Sequence, residues 1–137
     1  MINSLMTVSG KFQGVVTMSI EVNGKTIETD DEGFLINPDD WDEEVAKELV
    51  RQHEAAGHRQ VTEEGWSLIR YFREYYEDHM THPTMHKILR ERAKKEGKDF
   101  LSEEKFRDHL YELFPHGPIR MLCKLAGLPN PKDEVET

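Results

Sequence analysis

Prolines and glycines divide most of this sequence into five helix-length segments, and this division is what most constrains the fold. Gly57 is a plausible end for the first segment, because glycine tolerates the left-handed conformation that often follows a helix. Pro83 breaks the second segment, and the third runs to about Gly97. The rigid sequence LFPHGP, residues 113–118, precedes a short fifth segment that ends at Gly127. The pattern predicts a mainly α protein, a small orthogonal bundle of about five helices.

Apolar residues recur at helical spacing within these segments, as they do on the buried face of a helix. Pro38 is expected in the first turn of the first helix, where the nearby acids favour the positive end of the helix dipole. Thr62 and Ser102 are expected to cap the second and fourth helices, and the fifth helix is expected over 119–126. The predicted inward-facing residues are Trp41, Val45, Ala46, Leu49, Val50, His53, Trp66, Ile69, Phe72, Tyr76, Phe106, Leu110 and Leu113.

Two short β-prone segments, 19–22 and 25–29, precede the helices. Asn23 and Gly24 lie between them, and these residue types best tolerate the positive φ angles of a type I′ turn. The pattern predicts a β-hairpin, to which residues 33–35 can add a short third strand. An isolated hairpin is only marginally stable in water, so this one is expected to pack on the helices.

The same features predict one domain with an extension at each end. Residues 1–18 show no clear periodicity and are expected to form a flexible N-terminal extension. Residues 19–127 are expected to form the helical domain. Residues 128–137 are expected to form a mobile C-terminal arm, because Pro129 and Pro131 prevent the last helix from continuing.

Charge and cysteine content narrow the possible environments of the chain. Lys and Arg total 18 against 27 Asp and Glu, and the resulting net charge of −9 disfavours non-specific binding to nucleic acid or to anionic membranes. No apolar run approaches the roughly 20 residues that span a bilayer, and the N-terminus lacks the pattern of a secretion signal. One cysteine cannot form an internal disulfide, so we expect a cytoplasmic protein without membrane association.

Four segments of the sequence carry a more specific pattern. They are NGKTIETDDEGFLINPDDWDEEVA at 23–46, VTEEGW at 61–66, YFREYYEDH at 71–79 and LYELFPHGPIRMLCKLAGLPNP at 110–131. Their order and spacing resemble the DsrC/TusE family, the gamma-subunit proteins of dissimilatory sulfite reductase and their tRNA-thiolation relatives. The resemblance covers roughly residues 19–135, and its most specific part is the final block. It implies a small helical bundle with an N-terminal hairpin.

The resemblance also implies a role in sulfur transfer. Family members carry sulfur as a persulfide on a near-terminal cysteine, and the sulfite-reductase partners have a second cysteine eleven residues earlier, in the last helix. Cys123 matches the earlier position, whereas Glu134 occupies the position of the near-terminal cysteine. A disulfide or trisulfide within one chain therefore cannot form. Family members often have an arginine where this chain has His86.

Cys123 is the candidate sulfur acceptor, and the residues around it allow two interpretations. Arg120 lies one helical turn earlier and Lys124 is adjacent, and both cations favour the reactive thiolate. The negative C-terminal end of the helix disfavours it. Alternatively, Cys123 is a small buried core residue, since Ile119 and Leu122 lie on adjacent faces of the same short helix.

The resemblance suggests docking to protein partners in sulfur transfer or sulfite reduction, rather than independent enzymatic turnover. No cofactor is expected. Glu134 is either a docking group at the tip of the arm or one of several acids in a solvated tail. The candidate docking residues are Phe114, Pro115, Gly117, Pro118, Arg120, Lys124 and Glu134.

A basic segment offers a second hypothesis, a nucleic-acid-binding regulator. Residues 83–98 carry an excess of positive charge and could form the second helix of a helix-turn-helix. Its candidate contacts are Lys87, Arg90, Lys94 and Lys95. The alternative is a solvated helix face with internal ion pairs, which the net charge of −9 favours.

No metal is expected, although three histidines lie close together in the sequence. His79, His82 and His86 would need to converge on one ion, and Pro83 makes a shared helical face implausible. The phosphate-binding and nucleophile-elbow motifs GxxxxGK[ST], GxGxxG and GxSxG do not occur.

Overall fold

The computed structural model describes residues 18–96 and 100–131, which form a two-stranded hairpin and five helices. The strands are β1 (Met18–Val22) and β2 (Lys25–Thr29), and the helices are α1 (Glu43–Ala55), α2 (Glu63–His79), α3 (Met85–Glu96), α4 (Phe100–Leu113) and α5 (Pro118–Leu125). The predicted mainly helical fold with an N-terminal hairpin is confirmed. The predicted extension lies outside the described residues except for Met18, which begins β1.

The hairpin has the predicted turn. β1 and β2 pair antiparallel, with Val22 opposite Lys25, and the two turn residues have φ angles of 50° at Asn23 and 81° at Gly24. Both angles lie in the region that a type I′ turn requires. Ile20 and Ile27 face each other in the register and are buried against the helices.

Residues 33–35 do not form the third strand that the sequence allowed. They contribute an isolated bridge between Thr29 and Leu35, and the Ile36 amide donates to the Glu28 carbonyl at 3.0 Å. The cause is a tight turn just before this segment. The Asp30 carboxylate accepts from the amides of Glu32 at 2.8 Å and Phe34 at 3.0 Å, which removes those donors from strand pairing.

The first helix begins later than predicted. Pro38 starts a separate 3₁₀ turn, Pro38–Asp40, whose N-cap is Asn37. Asp42 then caps α1 by accepting from the Val45 amide at 2.8 Å. Two competing caps divide the predicted helix, so Trp41 lies between two elements rather than on a helical stripe.

Gly57 ends the first helix as predicted, with a φ of 101°. The Gly57 amide donates to the Glu54 carbonyl at 3.0 Å and the His58 amide to the His53 carbonyl at 3.3 Å. This pair of bonds is a Schellman motif, which satisfies the last carbonyls of α1. Thr62 caps α2 as predicted, accepting from the Gly65 amide at 3.2 Å.

The prediction for the start of the fourth helix is wrong. Ser102 lies inside α4, which already includes Phe100, rather than at its N-cap. Serine costs only about 0.5 kcal/mol relative to alanine within a helix, so a serine does not by itself define a helix start. The predicted break at Pro83 is confirmed, because α2 ends at His79 and α3 begins at Met85.

The shortest helix, α5, lies at the centre of the fold. It packs against α1, α2 and α4. Ile119, Leu122 and Leu125 have no exposed surface, and Leu110 and Phe72 from the neighbouring helices are equally enclosed. Burying a side chain of this size contributes about 1.5–3 kcal/mol, so α5 anchors the core that positions the candidate site.

Within residues 18–96 and 100–131, no helix is both long enough and apolar enough to cross a membrane.

Candidate functional site

Cys123, the only cysteine, is enclosed in the core on α5. Its exposed fraction is 0%, as are those of Leu122 and Ala126 beside it. The Cys123 carbonyl accepts from the Leu128 amide at 2.9 Å, which ties it to the residue that follows the helix. A sulfur donor in solution therefore cannot reach the thiol unless the surrounding core moves.

The C-terminal end of α5 is held by a cluster of Trp41, Arg73 and Gly127. The Trp41 indole donates to the Leu125 carbonyl at 2.9 Å, and the Arg73 guanidinium donates to the Ala126 carbonyl at 3.3 Å. These bonds satisfy carbonyls that a helix end leaves without intrahelical partners. They fix the point where the C-terminal arm leaves the domain.

Arg73 is buried, and its charge is compensated locally. Its guanidinium pairs with Glu77 at 3.0 Å and lies over the rings of Trp41 at 5.0 Å and Tyr76 at 5.7 Å. Gly127 has a φ of 74°, and a Cβ there would lie 2.5–2.7 Å from atoms of Trp41. The indole thus occupies the space that any larger residue at 127 would need.

Sequence analysis missed the role of Arg73 and assigned Trp41 to a helical stripe. Arg73 lies one position after Phe72 on α2. Its bond to the Ala126 carbonyl joins positions 53 apart in the chain. No local signal in the sequence reports such a contact.

The corner 113–118 lies at the N-terminal end of α5. Some of its residues are buried and others are exposed. Phe114, Gly117 and Pro118 are buried, and the Gly117 amide donates to the Phe114 carbonyl at 3.0 Å. Gly117, with a φ of 117°, is the N-cap of α5, and Pro118 follows it as the first helical residue. Pro115 and His116 are exposed. Only the latter two are placed to meet a partner directly.

Arg120 and Lys124 line one side of α5 and face the loop after the hairpin. Arg120 forms an ion pair with Glu32, and its guanidinium lies 5.5 Å from the centre of the Phe34 ring. Lys124 packs on Gly33, where an added Cβ would lie 2.8 Å from the lysine Cε. Both cations are therefore oriented by the loop.

Burial lowers the pKa of Lys124 below its ordinary value. Asp30 opposes this effect and Arg120 adds to it, and the pKa stays lowered. Burial therefore disfavours the charged form of the lysine more than Asp30 favours it.

Three imidazoles form a row beside the corner, which we call the histidine row (His53, His58 and His116). The rings of His53 and His58 stack with centroids 4.2 Å apart and planes within 10°. His116 meets His58 edge-on at 5.1 Å, and Phe114 lies 6.1 Å from His53. The row joins the end of α1 to the corner that starts α5. Sequence analysis placed His53 only as a stripe residue and missed the row.

Two residues of the row, His53 and His58, have lowered pKa values, which favours their neutral form. Burial lowers the pKa of His53 to about 4, and the nearby His58 and Lys124 act in the same direction. Burial also lowers the pKa of His58, with His116 and Lys124 contributing. His58, His116 and Lys124 thus disfavour protonation of His53, and His116 and Lys124 disfavour protonation of His58.

The arm is described only as far as Pro131. The Leu128 side chain is fully buried, and the Asn130 amide donates to Glu32 at 3.4 Å. Glu134 lies outside the described residues, so its predicted docking role stays a prediction.

The basic segment on α3 has ordinary surface interactions. Lys87 pairs with Glu91 at 3.6 Å, and Arg90 lies 3.3 Å from the His86 ring. The side chains of Lys94 and Lys95 lie outside the described part of the chain. The described contacts match those of a solvated helix face.

The three histidines considered for metal binding have separate environments. The rings of His79 and Tyr75 have centres 4.2 Å apart and planes tilted by 39°, and the His82 ring contacts the Pro83 carbonyl at 2.8 Å. In residues 18–96 and 100–131, no group of three or more His, Cys, Asp or Glu side chains is arranged to hold a metal ion.

The fold and this site define a small helical protein built around a central short helix. The model of the family described as DsrC like protein matches residues 21–135, and the chain belongs to this family. The chain is 40% identical over 109 residues to the sulfurtransferase TusE of Photorhabdus laumondii, covering 79% of this chain and 90% of that protein. It is 36% identical over 113 residues to TusE of Yersinia pestis, covering 82% and 95%.

Solved structures of the same family also match this chain. The NMR structure of Allochromatium vinosum DsrC matches with a TM-score of 0.67 and 38% identity, covering 85% of this chain and 98% of that one. The oxidized gamma-subunit of the dissimilatory sulfite reductase from Archaeoglobus fulgidus matches with a TM-score of 0.67 and 32% identity over the same shares. These relatives give no support to the nucleic-acid-binding hypothesis.

Proposed function

We propose that this chain is a sulfur-relay protein that acts by docking to protein partners of sulfur transfer or sulfite reduction. The relatives named above are sulfurtransferases and a sulfite reductase subunit, and they share most of their length with this chain. Within that group, this chain has Glu134 where the resemblance implies the sulfur-carrying cysteine. Docking is the part of the relay function that this chain retains without that residue.

The single observation that carries the proposal is the complete burial of Cys123. Exposing the thiol requires α5 to separate from the core, which uncovers Ile119, Leu122 and Leu125. At about 1.5–3 kcal/mol for each side chain, this costs at least roughly 4.5 kcal/mol, so fewer than about one molecule in a thousand is open. Sulfur acceptance on Cys123 is therefore a secondary activity, which requires a partner that opens α5.

In this proposal, the docking surface is the exposed side of the corner together with α5. Pro115 reaches solvent at the corner, and Arg120 and Lys124 lie half-buried on α5, facing the loop after the hairpin. Phe114, Gly117 and Pro118 are buried and hold this surface in place. The surface is attached to the core through a short helix, so it is rigid enough to be recognised without folding on binding.

The test measures binding of the full chain to purified dissimilatory sulfite reductase and to a persulfidated sulfurtransferase. Lys124→Glu reverses one charge on the docking surface, and we expect binding to weaken about tenfold. Lys47→Glu is the matched control, because Lys47 is an exposed α1 residue in a surface ion pair with Glu44. The control is expected to change affinity less than about twofold.

Two results would overturn the proposal. One is that neither partner binds the wild-type chain. The other is that Lys124→Glu and Lys47→Glu weaken binding equally, since that would mean that the contact depends on net charge and not on the corner.

A further inference from the structure

A cavity of about 380 Å³ opens between α3 and α4. We call it the α3–α4 pocket, and the residues that define it are Met85, Leu89, Arg90, Glu103, Glu104 and Arg107. Ligand pockets usually have volumes of roughly 300–1,000 Å³, so a cavity of this size suits a small molecule. The pocket shares no residue with the corner 113–118 or with α5.

The apolar residues of the pocket form its inner surface. Met85 and Leu89 lie one turn apart on α3, and their exposed fractions are 1% and 7%. A ligand that covers this surface removes apolar area from water, which favours a ligand with an apolar group. The thioether of Met85 is flexible and polarisable, so it can adapt to the shape of that group.

The α3 wall of the pocket carries a cation whose charge is not neutralised by its neighbour. Arg90 is exposed, and its guanidinium lies 3.3 Å from Nε2 of His86, which also lines the pocket. A guanidinium can only donate, so this imidazole nitrogen accepts and carries no proton. Within residues 18–96 and 100–131, Arg90 makes no ion pair with a carboxylate. Its guanidinium is therefore available to a ligand carboxylate, which it can bind through two parallel hydrogen bonds.

The α4 wall carries two carboxylates and one cation. Glu103 is half-buried and Glu104 is exposed, and neither forms an ion pair in the part of the chain that the structure describes. Arg107, half-buried on the same wall, has interactions of its own. Acidic residues are common near the start of a helix, because the helix dipole favours them there. These two are informative because Arg90 lies on the other wall of the same cavity.

The charges around the pocket cancel in sum but differ between the two walls. Arg90 gives the α3 wall one positive charge, whereas Glu103, Glu104 and Arg107 give the α4 wall a net negative charge of one. A simple anion or cation would be attracted by one wall and repelled by the other. A zwitterion can present the opposite charge to each wall, and the inner surface can take its apolar part.

We propose that the α3–α4 pocket binds a free α-amino acid with an apolar side chain of about the size of leucine. Its carboxylate pairs with Arg90, its ammonium group with Glu103 and Glu104, and its side chain packs on Met85 and Leu89. The inference goes beyond the proposed function, because none of the docking residues lines this pocket. The ligand is small and the pocket is open, so the dissociation constant should be on the order of 1 mM.

The test titrates the full, isotope-labelled chain with L-leucine and follows the backbone amide NMR signals. We expect saturable shifts at Met85, Arg90 and Glu104, and none at Gly117 in the corner. Two analogues each lack one of the charges: leucinamide has no carboxylate, and N-acetylleucine has no ammonium group. Each analogue should bind at least about fivefold more weakly than leucine, because each loses its charge-assisted hydrogen bonds to one wall.

Two variants assign each charge of the ligand to its wall. Arg90→Gln should weaken leucine binding at least about fivefold and leave leucinamide binding as in the wild type. Glu103→Gln with Glu104→Gln should also weaken leucine binding, but should not weaken the binding of N-acetylleucine. Lys87→Gln is the matched control, because Lys87 is an exposed α3 residue that pairs with Glu91 and does not line the pocket. The substituted side chains are exposed or half-buried, so all variants should fold.

Four outcomes would overturn the inference. The first is the absence of saturable shifts up to about 20 mM leucine, well above the expected dissociation constant. The second is equal binding of N-acetylleucine and leucine, which would indicate a site for apolar anions. The third is equal binding of leucinamide and leucine, which would indicate a site for an amine or for the N-terminus of a polypeptide. The fourth is equal weakening in Lys87→Gln and Arg90→Gln, which would indicate that leucine binds by general charge attraction.

Discussion

The cluster that holds the C-terminal end of α5 has satisfied charges and hydrogen bonds, whereas Lys124 on the same helix and two histidines beside the corner, His53 and His58, lie where burial disfavours a positive charge. The cluster of Trp41, Arg73 and Gly127 pairs its buried cation with Glu77 and uses the remaining donors on helix carbonyls. Burial instead lowers the pKa values of Lys124, His53 and His58. The first group stabilises the end of the helix, whereas protonation of the second group costs stability.

We expect the largest loss of stability from a substitution that creates a steric clash at the C-terminal end of α5. Gly127→Ala places a Cβ 2.5–2.7 Å from Trp41 at a φ of 74°, so both strain and a clash result. We expect a loss of about 3–5 kcal/mol in the free energy of unfolding, measured by urea denaturation.

Gly57→Ala is the control for that experiment. Gly57 ends α1 in the same motif, with a φ of 101°, but an added Cβ would meet nothing within 4 Å. It should cost only about 1–2 kcal/mol, the cost of the left-handed conformation alone. Equal losses for the two variants would show that Trp41 does not pack on Gly127.

We expect the next largest loss of stability from substituting the buried Arg73. Arg73→Lys loses the planar group that lies between Trp41 and Tyr76 and reaches the Ala126 carbonyl. We expect a loss of about 2–3 kcal/mol in the free energy of unfolding. Arg70→Lys, an exposed residue paired with Glu43, should cost less than about 1 kcal/mol. If the exposed variant is the more destabilised, the cluster does not hold α5.

The stability of the folded chain should also depend on pH, through His53 beside the corner that precedes α5. The pKa of His53 is about 4 in the folded chain, below the ordinary 6.5. The unfolded chain binds the proton more readily, so stability is full above about pH 6.5 and falls as the pH drops towards 4. The loss should be on the order of 2 kcal/mol, allowing for partial solvent screening.

Urea denaturation at about pH 7 and about pH 4.5 measures this dependence. His53→Gln should reduce the loss between the two pH values, whereas His79→Gln, an exposed histidine, should retain it. A wild-type chain equally stable at both values would contradict the buried neutral state of His53.

The smallest expected effect on stability is that of Lys124→Met. The methionine keeps the apolar stem against Gly33 and removes the charge, so the free energy of unfolding should change by less than about 1 kcal/mol. The pKa values of His53 and His58 should both rise, because Lys124 lowers each of them. Imidazole NMR titration checks the shift, and unchanged values would mean that Lys124 lies too far away to act.

The helix ends show how far the sequence could predict this fold. Asn23, Gly24, Gly57 and Gly127 all have a positive φ. A glycine or an asparagine in the sequence indicates such a position without knowledge of the rest of the fold. Thr62 was predicted for the same reason. Pro38 misled because two nearby caps, Asn37 and Asp42, compete. Ser102 misled because a serine is also tolerated inside a helix.

The candidate site was predictable only in part. The family pattern identified Cys123 and the corner, and composition could not decide whether the thiol is buried. The histidine row joins residues as far apart in sequence as His53 and His116, and Arg73 meets a carbonyl on α5. Such contacts are set by how helices pack, which no local sequence pattern encodes.

The most direct test of the docking account is the reactivity of Cys123 in the folded chain. The protein is incubated with polysulfide or with an alkylating reagent, and its intact mass is measured with and without denaturant, with Cys123→Ser as the control. Burial of the thiol predicts no added mass under native conditions and full modification after unfolding. A native chain that gains one sulfur atom, with no gain in Cys123→Ser, would contradict the account and make Cys123 a sulfur carrier in its own right.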